Sequence, residues 1–386
     1  MPLSDNLAAQ DSPSARREAL GRIASLLDRN GIDIDEIGRV QRISLYQSLT
    51  KNDEGEAEIH DLAAVQLSPA WETGPEWPVI TPGPQIRLPA PRSRKETTSD
   101  YRLACVLPDC QIGYYRLGDD SLEATHDEQA IAAALAVVRA ADPDLVVLVG
   151  DNLDLPEFGK YLTTPAWQRT TQASIDRATT LAAEIRRAAP RAEIVWIAGN
   201  HEERLPRYIA GNAAAAFGLR RGNLPESWPV LSVPDLCRFD EFGVTYLPGY
   251  PASSHWINER LRVIHGDLVK SSGSTAHKYL AREKTSVLYG HIHRIEWAER
   301  TREDFDGPRT ILAASPGCLA RIDGAVPSTK GGTDLDGRPI VRHEDWQQGM
   351  CVVQYREGDG DFNLEMLPIR SGQIWWRGHK YAVDDE

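Results

Sequence analysis

Cysteine is scarce in this 386-residue chain. Its five cysteines (Cys105, Cys110, Cys237, Cys318 and Cys351) are odd in number, scattered, and never spaced as CxxC. That excludes a disulfide framework and a cysteine zinc site, and it fits a reducing compartment. No apolar run approaches the roughly 18–20 residues that cross a bilayer, so no membrane role is expected. The opening MPLSDNLAAQDSPSARR lacks the basic-then-apolar layout of a secretory leader, which makes the cytoplasm the expected location. An excess of positive charge is also missing. The 43 Lys and Arg against 56 Asp and Glu leave a net charge of −13, so no global field steers nucleic acid toward the chain. Internal repeats are not evident. What is present is the composition of an ordinary globular protein, 41% hydrophobic and 26% charged. The length suffices for one large α/β domain with an appended segment.

The organisation can be read along the chain. Residues 14–29 place Leu20, Ile23, Leu26 and Leu27 on one helical face, and Asn30-Gly31 is a helix stop. Two strand-like runs, VQRISLYQSLT and EAEIHDLAAVQL, flank a turn at Lys51–Gly55 and predict a β-hairpin. Prolines 69, 75, 78, 82, 84, 89 and 91 then rule out regular helix or central strand and mark a stiff linker. The expected boundaries are an accessory helix plus β-hairpin unit at 1–75, a Pro-rich linker at 76–99 and the main domain at 100–386. From Tyr101 strand-like runs (YRLACVL, DLVVLV, EIVWIA) alternate with helical ones (EQAIAAALAVVRAA, AWQRTTQASIDRATTLAAEIRRAA). Continuous apolar strands separated by helices imply sheets buried on both faces. After Gly290 the runs TILAAS, GMCVVQY and FNLEMLPI predict mostly antiparallel pairing. The class is α/β, with a small N-terminal α+β accessory unit.

Five short segments each place metal-binding side chains directly after a strand-like run. They are Asp109-Cys110-Gln111 after ACVLP, Gly150-Asp151-Asn152-Leu153-Asp154 after LVVLV, Gly199-Asn200-His201-Glu202 after IVWIA, His265-Gly266-Asp267 after LRVI, and Gly290-His291-Ile292-His293 after SVLY. In open α/β sheets the carboxyl ends of strands converge on one crevice, so five loops distant in sequence can point inward together. Asp, Asn and His without a thiolate suit hard or borderline divalent ions such as Mn²⁺, Zn²⁺ or Fe²⁺. Two such ions roughly 3.5–4 Å apart can clamp one phosphate.

In order and spacing these segments resemble the motifs of the calcineurin-like metallophosphoesterase superfamily: D-x-H, G-D-x-x-D, G-N-H-D/E, H-G-D and G-H-x-H. The resemblance covers roughly residues 100–320. GNHEERL, GHIHR and SPGCLARIDG are also similar to the metallophosphoesterases of tailed phages, which would place the protein in the host cytoplasm. The resemblance implies a four-layer αββα sandwich and hydrolysis of phosphate esters by a metal-bridging hydroxide. It implies that Asp151 bridges two divalent cations. Asp109, Gln111 and His293 would complete one site, and Asn200, His265 and His291 the other. Manganese is the expected metal, with Zn²⁺, Fe²⁺, Mg²⁺ or Ni²⁺ as alternatives. His201, beside Asn200, would be a non-ligand histidine that contacts the phosphate and protonates or orients the leaving oxygen.

Gln111 departs from the family pattern, which has histidine there. A Gln oxygen is a weaker, harder ligand than imidazole, so the first metal site is expected to bind less tightly and to lean toward Mn²⁺ or Mg²⁺. His126 is a minor candidate for the missing imidazole; its other reading is a helix-start residue beside the N-cap Asp127. Asp154 is expected to support its loop or back the ligands, and Glu202 and Asp267 to orient histidines, rather than touch a metal. Arg204 and Arg294 are expected to face substrate, and Cys110 to be a buried filler. The substrate expected is a phosphate ester, favoured as a diester in nucleic acid or a nucleotide. The alternatives are a phosphomonoesterase acting on phosphoproteins or nucleotides, and a binding protein with a degraded site. Residues 1–75 could serve oligomerisation or partner docking.

Overall fold

The structure, a computed structural model, describes residues 99–382 except 160–164, 224–226, 271–272, 306, 328–339 and 341–343. Before them it describes 37–51, 55–69 and isolated residues within 21–31 and 80–86. The chain divides into two compact units, residues 1–82 and 83–386. In the first unit the described residues of 21–29 are helical. Strand β1 (Ile37–Lys51) pairs antiparallel with β2 (Ala57–Pro69), Lys51 facing Ala57 across the expected turn. Residues 14–20 and most of the proline-rich stretch lie outside the described residues.

The second unit is built on two mixed sheets. Strands β3 (Arg102–Leu107), β6 (Leu145–Leu148), β7 (Glu193–Ile197) and β8 (Val244–Leu247) run parallel. A short hairpin, β4 (Tyr114–Arg116) with β5 (Leu122–Ala124), follows β3. Antiparallel β14 (Gly349–Tyr355) and β15 (Phe362–Pro368) extend the first sheet, giving the order β15-β14-β3-β6-β7-β8. The second sheet has β9 (Ser254–Asn258), β10 (Leu261–Ile264), β11 (Ser286–Tyr289), β12 (Ile295–Asp304) and β13 (Gly307–Pro316), in the order β12-β13-β11-β10-β9. A last hairpin joins β16 (Gln373–Trp376) to β17 (His379–Ala382). The antiparallel pairing expected beyond Gly290 is therefore present, although β13 also pairs parallel with β11.

Alternation along the strands separates the layers. Cys105, Leu107, Val146, Leu148, Ile194 and Trp196 cluster with the apolar faces of α1 (Glu128–Ala141) and α2 (Thr171–Ala188). Their neighbours Ala104, Val106, Val147, Val195 and Ile197 instead meet Leu261, Val263, Leu288 and Ala314 of the second sheet. The outer face of that sheet, through Ile264, Val287, Tyr289 and Ile311, packs on Ala276, Tyr279 and Leu280 of a further helix, Thr275–Arg282. Helix, sheet, sheet and helix thus form the four-layer sandwich. Helix α1 shows how the local sequence sets an element. Asp127 caps it by accepting from the Gln129 and Ala130 N–H groups, and Asp142 ends it in a left-handed conformation. Ile131, Leu135, Val137 and Val138 are buried, each stabilising the fold by about 1.5–3 kcal/mol. No helix among the described residues is long and apolar enough to cross a membrane.

Candidate metal centre

All five motif segments leave the carboxyl ends of parallel-paired strands. Asp109–Gln111 follows β3, Asp151 follows β6 and Asn200 follows β7 in the first sheet. His265 follows β10 and His291–His293 follows β11 in the second. The centre therefore lies at one edge of both sheets. Five of these side chains sit on left-handed backbone: Asp109 (φ 33°), Gln111 (51°), Asp151 (48°), His291 (70°) and His293 (55°). For residues other than glycine such conformations cost about 1–3 kcal/mol and persist only when the surroundings enforce them. Glycine is required beside them for a different reason. A Cβ on Gly199 would collide with the Asp151 carboxylate, and one on Gly290 with that of Asp109.

The side chains converge as the spacing predicts. Asp151 Oδ2 lies 3.2 Å from His265 Nε2 and 3.5 Å from His201 Nε2. Asp151 Oδ1 accepts from the His201 backbone N–H at 2.8 Å. His265 Nε2 is 3.1 Å from Asn200 Oδ1, and its Nδ1 is 3.0 Å from the Val149 carbonyl oxygen. The His265 and His291 rings are 5.1 Å apart. Ligand atoms of Asp151, His265 and His291 all lie within 4.8 Å of one another. On the other side His293 Nε2 is 3.2 Å from Asp109 Oδ1 and 3.3 Å from Gln111 Nε2. The two halves join where the Gln111 N–H donates to the Asp151 carbonyl oxygen at 2.9 Å.

The donor set fits divalent cations. Asp109 and Asp151 are buried, and among the described residues neither has a lysine or arginine partner. Buried carboxylates need a compensating charge. Gln111 Oε1 is buried with no hydrogen-bond partner, so an acceptor lone pair is left over in a crowded space. Burial would raise the Asp151 carboxyl, but His201 and His265 hold it well below the usual carboxylate range. The His291 imidazole is pushed down to about 4, by burial first and then by His265. It is neutral at physiological pH, as a metal ligand must be.

All seven side chains expected to bind metal are thus brought together: Asp109, Gln111 and His293 on one side, and Asp151, Asn200, His265 and His291 on the other. His201 stands beside them. Its Nδ1 is 2.9 Å from Asp154 Oδ1, and its Nε2 is 2.8 Å from Arg204 Nη2. Arg204 Nη1 in turn donates to the Asp154 carbonyl and carboxylate oxygens. Arg204, held by Asp154, contacts the histidine ring from the Nε2 side.

Other expected residues are placed differently. Glu202 orients no histidine. Its Oε2 accepts from the Asp151 and Gly199 N–H groups, and its Oε1 from those of Asn152 and Leu153 and from the Trp196 indole. One buried carboxylate thereby staples two motif loops together. The Asp267 carboxylate turns to Arg282 at 2.9 Å and accepts from the Tyr279 hydroxyl at 3.4 Å. Arg294 is drawn from the centre by Glu296 at 3.1 Å and by the Lys270 carbonyl oxygen. His126 cannot replace the missing imidazole, since its nitrogens face the Gly113 carbonyl oxygen and Glu128. Cys110 is a fully buried free thiol, as are the other four. Two contacts went unread in the sequence. Trp346 packs edge-on against His293 at 4.1 Å, and Tyr250 against His265 at 5.6 Å. No motif surrounds either aromatic. Glu202, directly after Gly-Asn-His, was the one with a positional clue.

A four-layer sandwich with carboxylates, imidazoles and amides converging at the shared edge of its sheets defines a metal-dependent phosphoesterase. Residues 109–295 match the family described as calcineurin-like phosphoesterase, a family that depends on a dinuclear metal centre. The chain is similar to the Gene 54 protein of Mycobacterium phage D29, with 27% identity over 261 residues, covering 67% of this chain and 94% of the relative. It is also 26% identical to the Gene 54 protein of Mycobacterium phage L5 over the same shares.

Proposed function

We propose that this phosphoesterase is a phosphodiesterase acting on nucleic acid or nucleotides. Asp109, Gln111, Asp151, Asn200, His265, His291 and His293 would hold its two cations, manganese foremost. The observation that supports the diester reading is that both arginines expected to face substrate are engaged within the chain. Arg294 is committed to Glu296, and Arg204 is braced against Asp154 and His201. A monoester brings two negative charges at neutral pH and a diester one. With neither flanking arginine uncommitted, the single charge is the better match.

Two cations, when bound, polarise a phosphoryl oxygen and lower the pKa of water to roughly 7. The chain's own residues do the rest. His201 holds the proton for the leaving oxygen at Nε2, with the Asp154 carboxylate 2.9 Å from Nδ1. Arg204 Nη2 approaches that same Nε2 at 2.8 Å. Two N–H groups cannot share the contact, so Nη2 must turn aside when Nε2 is protonated, while Nη1 stays on Asp154. The test is a substrate panel with Mn²⁺: bis(p-nitrophenyl) phosphate, p-nitrophenyl phosphate, and single- and double-stranded DNA. The diester should turn over faster than the monoester, and DNA should be cut. Release of nitrophenol from the monoester alone would remove the phosphodiesterase reading.

A further inference from the structure

A pocket of 330 Å³ adjoins the centre on the β8 side, walled by Phe217, Trp228, Leu231, Tyr246 and Pro248, with Glu203 at its edge. It shares two chain segments with the metal centre. Glu203 is two residues from His201, and Pro248 is two residues from Tyr250, which packs on His265. Two residues span at most about 7 Å, so one nucleotide could reach both places. The walls are aromatic and apolar, yet Phe217 remains 59% exposed and Leu231 39% exposed. Packing within the chain leaves these surfaces uncovered.

Glu203 distinguishes this pocket from an ordinary apolar cleft. Its side chain is only 19% exposed. Its carboxylate receives one long N–H bond, from Gly249 at 3.3 Å, and its nearest cation, Arg207 Nε, stands 3.9 Å away. A carboxylate has about four lone-pair sites, so most of its accepting capacity is open. Among nucleobases only guanine presents two adjacent donors, N1–H and the 2-amino group, matched to a carboxylate. Adenine and cytosine offer one donor beside a ring acceptor that a carboxylate repels, and uracil's one donor lies between carbonyls. Flat aromatic walls supply stacking that any base could use, worth about 1–3 kcal/mol; the carboxylate supplies the choice.

We propose that this pocket is a guanine-selective base site, holding the base of a nucleotide whose phosphate lies at the metal centre. The proposal rests on the phosphodiesterase reading for its substrate class. The test is calorimetric binding of GMP, AMP, CMP and UMP to the full chain in EDTA, where the phosphate contributes equally to all four. GMP should bind about tenfold more tightly than CMP, and Glu203→Gln should abolish that preference. Phe217→Ala, at an exposed position, should weaken all four nucleotides together without lowering the melting temperature. Equal affinity for the four nucleotides in the unmodified protein would overturn the proposal, as would a GMP preference that survives Glu203→Gln. Should Glu203→Gln fail to fold, unchanged GMP binding by Phe217→Ala has the same force. Methyl p-nitrophenyl phosphate, which carries no base, separates the two readings. If it resists hydrolysis with Mn²⁺ while GMP selectivity holds, the diesterase assignment fails and the base site stands.

Discussion

Replacing Glu202 by glutamine tests whether one carboxylate holds the two central loops in place. The substitution keeps the shape but turns one acceptor into a donor. If the amide nitrogen takes the Oε2 position, the Asp151 and Gly199 N–H groups lose their acceptor. If it takes the Oε1 position, Asn152, Leu153 and the Trp196 indole lose theirs. At least two buried N–H groups are orphaned either way, at about 1–3 kcal/mol each. Burial first, and then Asp151, push the Glu202 carboxyl up, so removing its charge offsets part of that loss. The net destabilisation should be about 2–4 kcal/mol, a large share of the roughly 5–15 kcal/mol that holds a domain together. Urea unfolding followed by tryptophan fluorescence would measure it. Mn²⁺ affinity of the folded fraction should also fall, by about 10–100-fold, as partners of ligand loops typically require. A variant within about 0.5 kcal/mol of the parent, with Mn²⁺ binding intact, would refute the reasoning.

Three further outcomes are expected. His201→Ala should lower kcat by about 10²–10⁴-fold with two Mn²⁺ still bound, and the loss should be greater for alkyl than for p-nitrophenyl leaving groups, which need no proton; steady-state kinetics on both esters would show it. Titration of apo-protein with Mn²⁺ should reveal two unequal affinities, and Gln111→His should tighten the weaker one by about tenfold; two equal affinities in the parent would contradict the role given to Gln111. Burial opposes ionisation of Glu128, but hydrogen bonds from His126 and Arg177 outweigh it and hold the carboxyl down at about 2. A lowered folded pKa contributes stability above the unfolded value near 4.5 that is lost as pH falls toward 2. Glu128→Gln should therefore unfold with a flatter pH dependence than the parent across that window in acid-denaturation curves.

The sequence made the ligand loops legible because chemistry there is tied to position. Each of the segments containing Asp109, Asp151, Asn200, His265 and His291 follows a run whose burial on both faces is written in its apolar continuity. The layer order followed from the same runs, since Cys105 and Val106 must face opposite sides. What sequence position could not reveal was direction. Arg294 stands next to His293, yet Glu296, two residues further along the chain, draws it away. Asp267 stands two residues from His265 and pairs instead with Arg282, seventeen residues from that histidine and brought close only by the fold. Glu202 braces the loops through backbone N–H groups and the Trp196 indole rather than a histidine, and backbone N–H groups carry no sequence label. Trp346 reaches His293 from a segment without periodicity or motif.

The centre takes its side chains from both leaves of the sandwich: Asp109, Asp151 and Asn200 from one, His265, His291 and His293 from the other. Cations seated there would act as rivets across the seam, adding cross-links to the apolar contact between the leaves. Sliding of one leaf against the other would change the spacing of the donors directly, so substitutions deep in the interlayer core, at Val147 or Leu288, would reach the chemistry through register alone.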